Sequence, residues 1–164
     1  MKGQAPDADV REFERRLQAY LDMRAALARQ LGPLTPTADP EELASRQAAL
    51  AGALPAARAT ARPGDLVPPP VAIPIQRAVL ADVQRRTAAA ERAVFDEIPN
   101  APRPAVNRPY PSDAALSTVP PLLLANLPRL PGNLQYRFYE RDVVILDGDV
   151  QLIVDVILNA LPPH

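Results

Sequence analysis

The run Leu134-Gln135-Tyr136-Arg137-Phe138-Tyr139-Glu140-Arg141-Asp142-Val143-Val144-Ile145-Leu146-Asp147-Gly148-Asp149-Val150-Gln151-Leu152-Ile153-Val154-Asp155-Val156-Ile157 decides the fold. From Leu134 to Glu140 it alternates, with Leu134, Tyr136 and Phe138 on one face and Gln135, Arg137 and Tyr139 on the other. That is the period of a half-buried strand. Arg141-Asp142 reads as a turn, and Val143 to Leu146 is apolar on both faces. Asp147-Gly148 is a two-residue hairpin signal, after which Gln151 to Ile157 returns as a third strand. Residues 132–160 are therefore expected to form a three-stranded antiparallel β-meander. A middle strand that is apolar on both faces needs a cover on each. Helices would supply one cover; the proline-rich segment or a second subunit would supply the other.

Upstream the period changes to that of helices, and three are predicted over residues 7–98. Asp7 to Leu31 places Val10, Phe13, Leu17, Tyr20, Leu21, Leu27 and Leu31 on one face, with Gly32-Pro33 as the stop. Asp39-Pro40-Glu41-Glu42 sets a capping aspartate, a proline at the first helical position and a glutamate three residues after the cap. The stripe Leu43, Leu50, Leu54 and Ala57 carries that helix toward Ala61, and Pro55 predicts a kink or an early end. Pro68-Pro69-Pro70 reads as an extended connector. A third helix should start near Val71 or Pro74 and continue through Ile75, Val79, Val83, Ala90 and Val94 to Ile98.

Residues 99–131 form a proline-rich strap. Pro99, Pro102, Pro104, Pro109 and Pro111 favour extended geometry. A short helix is predicted over Pro120 to Leu127, capped by Ser117 or Thr118. The fold class is α+β: a three-helix N-terminal layer, the strap, and the C-terminal meander, read as one domain over 1–164.

Composition excludes more than it identifies. The chain has 164 residues, 21 prolines, no tryptophan and no cysteine, and His164 is its one histidine. A chain of this size buries roughly 70% of the surface exposed on unfolding, enough for a core of its own. The inventory removes thiol nucleophiles, disulfides, Cys/His zinc sites, Ser-His-Asp triads and histidine general bases. Eighteen basic and 19 acidic residues leave a net charge of −1, with no basic field to hold a nucleic acid. No apolar run reaches the roughly 18 residues of a membrane span. The most apolar stretch, Val143 to Leu161, is interrupted by Asp147, Gly148, Asp149, Asp155 and Asn159. The opening Met1-Lys2-Gly3-Gln4-Ala5-Pro6 is too short and polar for a signal peptide.

Several segments together resemble a family of small exported bacterial proteins with no assigned activity. They are Asp39-Pro40-Glu41-Glu42-Leu43, Arg46-Gln47-Ala48-Ala49-Leu50, Arg62-Pro63-Gly64-Asp65-Leu66 and Val106-Asn107-Arg108-Pro109-Tyr110-Pro111. Leu127-Pro128-Arg129-Leu130-Pro131, Tyr136-Arg137-Phe138, Arg141-Asp142-Val143 and Leu152-Ile153-Val154-Asp155 extend the likeness over most of residues 10–160. The resemblance implies a periplasmic or secreted location, reached with a signal peptide that is not part of this chain.

The candidate binding residues are Arg108 and Tyr110 in the strap and Arg137 and Tyr139 on the first strand. A stiff proline-rich segment loses little entropy on binding, and an arginine beside a tyrosine is a favourable interface anchor. The alternative for Tyr139 is packing beneath the strap. Asp142, Asp147, Asp149 and Asp155 could offer oxygens to a hard cation, but they straddle strands and fit turn and edge chemistry as well. Glu41–Glu42 and Asp96–Glu97 are adjacent on helices and diverge by about 100°, so neither pair converges on a substrate. No catalytic residue and no cofactor is assigned. The reading is a non-catalytic exported protein that binds another protein or itself. A carrier for a small hydrophobic ligand or lipid is the alternative, and a carboxylate-dependent enzyme a weaker one.

Overall fold

Three antiparallel strands in the order β1-β2-β3 end the computed structural model, which describes residues 7–32, 35–96, 103–111 and 119–162. They are β1 (Leu134–Tyr139), β2 (Asp142–Asp147) and β3 (Leu152–Ile157). Helices occupy the N-terminal part, so the α+β layout read from the sequence is the one observed. The turns differ in detail. Tyr139 pairs with Asp142, which makes Glu140-Arg141 the first turn, with Glu140 at φ 51°. Asp147 pairs with Leu152, so the second connection is the four-residue loop 148–151 rather than Asp147-Gly148 alone. Val150 explains the wider loop: it is buried in the main core, beyond the reach of a two-residue turn.

Alternation distributes β2 between two cores. Val143 and Ile145 join Phe13, Leu17, Leu54, Val71, Ile75 and Val79 under the helices. Val144 and Leu146 pack on the opposite face with Tyr110, Tyr139, Ile153 and Val156. A bulge makes this possible on β3. Ile145 faces Asp155 but Leu146 faces Ile153, leaving Val154 as the extra residue. The bulge resets the alternation, so Asp155 and Leu152 both point with the helix-side residues while Ile153 and Val156 share the far side.

The helical layer begins with α1 (Asp7–Leu31), which buries Phe13, Leu17 and Tyr20. Leu31, assigned to the same stripe, is exposed. Helix α2 (Pro40–Ala57) is capped by Asp39, whose side chain accepts from the Glu41 N–H at 2.9 Å. It stops in the turn after Pro55, the early end that proline predicts, and Leu43 lies exposed outside its apolar stripe. The largest departure follows. Pro69 and Pro70 are not a connector but the first turn of α3 (Pro69–Gln84), where the missing N–H groups would have had no helical partner. Arg85 and Arg86 then end α3, and Thr87 starts a separate helix, α4 (Ala88–Asp96). The Thr87 hydroxyl accepts from the Ala90 N–H, which is N-cap chemistry inside what the periodicity reads as one helix. The predicted end at Ile98 lies outside the described residues. Helix α5 is only Pro121–Leu124, and its proposed caps Ser117 and Thr118 also lie outside them.

Pro99 and Pro102 of the strap are likewise outside the described residues. Residues 103–111 run along the free edge of β3. The Asn107 N–H donates to the Ile153 carbonyl, the Ile153 N–H to the Arg108 carbonyl and the Tyr110 N–H to the Gln151 carbonyl, at 2.8, 2.9 and 2.8 Å. Pro109 faces Leu152. Residues 107–110 thus pair irregularly with the edge of β3, outside the three named strands, and Tyr110 closes over the far face of the sheet. Tyr110→Ala should cost about 3 kcal/mol, as for other large aromatic truncations. Hydrogen exchange checks the cause: the Ile153 amide should lose protection more than the Ile145 amide does.

Candidate functional site

The structure gives hydrogen-bond partners to each of the four aspartates weighed for a cation. Asp155 is completely buried. Its Oδ1 accepts from the N–H groups of Gly64 and Val156, both at 2.8 Å. Its Oδ2 accepts from those of Leu66 and Val67 at 2.8 and 2.7 Å. Burial raises the carboxyl above its ordinary pKa, and the four donors work against that rise. Gly64 sits at φ 92°, a left-handed conformation that lets the loop turn its N–H groups onto one carboxylate.

Asp147 is buried at the end of β2, two positions from Ile145, which faces Asp155. It accepts from the Tyr20 hydroxyl and from Arg24 Nε, each at 2.7 Å. The same guanidinium donates to Asp149 at 2.8 Å, and Asp149 also accepts from Asn133. Asp142 accepts from the Asn159 N–H at 2.7 Å and lies 3.6 Å from Arg103 Nε. Asp147 and Asp149 share Arg24 while Asp142 and Asp155 have separate partners, and no group of three or more His, Cys, Asp or Glu side chains suited to a metal is found among the described residues.

A polar belt links these anchors. The Arg58 guanidinium lies over the Tyr20 ring, 5.2 Å from its centroid, and donates to the Val154 carbonyl at 2.8 Å and to Asn107 Oδ1 at 3.1 Å. Asn107 Nδ2 donates back to the Arg58 carbonyl at 2.7 Å. This reciprocal pair fastens the strap to the end of α2. Burial lowers the Arg58 pKa, offset in part by Tyr20 and Asp155.

The four residues singled out for binding separate into two groups. Tyr110 and Tyr139 are both buried and meet edge-to-face, with ring centroids 5.6 Å apart. Within one chain each ring packs against the other, the arrangement given as the alternative for Tyr139. The Tyr110 hydroxyl also donates to the Phe138 carbonyl at 3.2 Å. Arg137 is half-buried and donates to the Tyr136 carbonyl and to Gln135. Burial lowers its pKa, with Tyr110 opposing. Arg108 is exposed.

Among the described residues, two open clefts adjoin α1 and α3. One, of 330 Å³, lies between α1 and the segment after α2, with Arg16, Tyr20, Met23, Arg58 and Asp65 among its walls. Its polar groups are committed: Arg16 holds the Asp65 carbonyl at 3.0 Å, and Arg58 is bonded as described. The other, of 430 Å³, runs between α3 and the C-terminal segment, with Ile73, Gln76, Arg77 and Leu80 on one wall and Arg141, Asn159 and Pro162 on the other. Sequence reasoning missed it because α3 was read for its inner stripe alone. Residues 73, 76, 77 and 80 have the spacing of a second helical stripe and were legible as one. Arg24 carried a signal too, standing at i+4 from Tyr20 on the buried side of α1.

Set against protein-family models, curated proteins and solved structures, the chain matches none of them. Among the described residues, no helix is long and apolar enough to cross a membrane.

Two outcomes test the anchors. Asp155→Asn leaves one acceptor oxygen for four N–H groups and should cost about 3 kcal/mol in urea unfolding, since each buried donor left unpaired costs about 1–3 kcal/mol. Tyr20 and Tyr136 both have raised pKa values, Tyr20 from burial and then Asp147, Tyr136 from burial. The folded chain thus keeps protons that the unfolded chain releases above a pKa of about 10. Stability should be unaffected by these groups below pH 10 and fall above it, by about 1.4 kcal/mol per pH unit for each. Tyr20→Phe should start less stable and show the shallower alkaline decline in chemical denaturation.

Proposed function

We propose that this is a non-catalytic protein that works by binding another protein, and that it docks through the groove between α3 and the C-terminal segment. The observation that carries this reading is the outer stripe of α3. Ile73 and Leu80 are 44% and 39% exposed although the same helix buries Val71, Ile75, Val79 and Val83. Gln76, on the same wall, ties α3 to the C-terminal segment by donating to the Leu158 carbonyl at 2.7 Å. Two large apolar side chains exposed along one groove are what a protein-binding surface leaves uncovered in the free state. The buried aspartates support the non-catalytic part, since each is held by structural hydrogen bonds. The open shape of both clefts works against a carrier, which needs to enclose most of its ligand's surface. The likeness to exported bacterial proteins supports a setting outside the cytoplasm.

A photo-crosslinking residue at position 80 should give covalent protein adducts in cells that make the protein naturally. The same residue at position 14, on the exposed side of α1, should give none. Absence of adducts at position 80 would sink the reading.

A further inference from the structure

The groove's charge specifies more than its apolar stripe does. Arg77 and Arg141 face it from opposite walls, and neither guanidinium makes an ion pair or a hydrogen bond among the described residues. Arg103 stands beside them, because it donates to the side chain of Asn159, a wall residue, at 3.1 Å. The carboxylate in contact with this group is Asp142, which is 1% exposed and turned inward to the Asn159 N–H and Arg103. Glu140, next to Arg141 in the chain, does not line the groove. In a chain whose net charge is −1, this is a locally cationic groove with an apolar floor.

Its dimensions match a helix. Ile73, Gln76, Arg77 and Leu80 are related as i, i+3, i+4 and i+7, and Ile73 and Leu80 lie about 10 Å apart along the axis at 1.5 Å per residue. That is two turns of exposed stripe. A partner helix laid beside it would present apolar residues at the same recurrence, flanked by carboxylates that reach Arg77 on one side and Arg141 on the other.

We propose that the occupant of this groove is an acidic amphipathic helix of another protein, with leucine-like residues at i, i+4 and i+7 and Asp or Glu on both flanks. The proposal rests on the docking reading above. Charge decides between occupants here: an apolar helix with lysine flanks would meet two unpaired arginines, and like charges at an interface cost affinity and slow encounter.

The test uses the full chain and two labelled synthetic helical peptides of about 15 residues, long enough to hold a helix when docked. Both carry leucine at i, i+4 and i+7; one has glutamate flanks and the other lysine flanks. In fluorescence anisotropy the glutamate peptide should bind about tenfold more tightly than the lysine peptide, and more weakly as salt rises. Arg77→Glu combined with Arg141→Glu should invert that order. Both positions are exposed, and circular dichroism of the variant confirms that it is folded. Equal binding of the two peptides, no binding of either, or an unchanged order in the double variant overturns the proposal. So does displacement of the glutamate peptide by vesicles of phosphatidylglycerol, or a groove occupied by a second copy in sedimentation at the same concentration. Adducts at position 80 alongside failure of the glutamate peptide would mean that a protein docks here with different chemistry. Absence of both would remove the docking reading as well.

Discussion

Asp155 puts a carboxylate where no solvent reaches it, and the four backbone N–H groups around it decide how the helices meet the sheet. An unpaired charge at that depth would cost several kcal/mol, so the cradle has to form whenever the chain folds. Three of its four donors, Gly64, Leu66 and Val67, belong to the segment between α2 and α3. Fixing them fixes where α3 starts. Pro68, Pro69 and Pro70 follow at once, and their restricted φ sends the chain directly into the helix that buries Val71 and Ile75. The bulge at Val154 is part of the same device, since it turns Asp155 toward the helices and leaves the Val154 carbonyl to receive Arg58.

A second anchor, at the end of β2, completes the constraint. Tyr20 and Arg24 of α1 both donate to Asp147 at the end of β2. The helical layer is thus pinned to the sheet by two different elements, the loop before α3 through its backbone and α1 through its side chains. This matters because the helices are rich in alanine and contribute few large side chains. Alanine seams tolerate sliding by a residue or a turn with little change in buried area. Directional hydrogen bonds to buried carboxylates do not, because a shift leaves a charge and its donors unpaired.

The elements that were legible in the sequence are those set by local rules. The first strand and the α1 stripe follow from periodicity, and the α2 start follows from Asp39-Pro40. What escaped reading depended on distant partners. Pro69-Pro70 is compatible with both a connector and a helix start, and Asp155 selects the second by fixing the segment before them. The break at Thr87 was readable as a cap but was outweighed by the long apolar period on either side. The width of the second turn depended on Val150 finding the core. The candidate site was the least legible part. Tyr139 with Arg137 has the composition of an interface anchor, and the same composition suits a ring buried under a strap. Only the pairing of residues 107–110 with β3 separates the two, and that contact spans more than forty residues of sequence.

The same pairing moves the proposed binding surface elsewhere. Once the strap runs along the edge of β3 and Tyr110 covers Tyr139, the far face of the sheet has little to offer another molecule. The near face is under the helices. The carboxylates are held by backbone and arginine donors, and most arginines near the core are held by carbonyls and carboxylates in return. Arg77 and Arg141 stand outside that economy of contacts, and they flank the stretch of α3 where apolar side chains stay exposed. A stripe of Ile73 and Leu80 left bare costs solubility, and two guanidinium groups left unpaired contribute nothing to the stability of the free chain. The proposed partner helix would cover the first and neutralise the second.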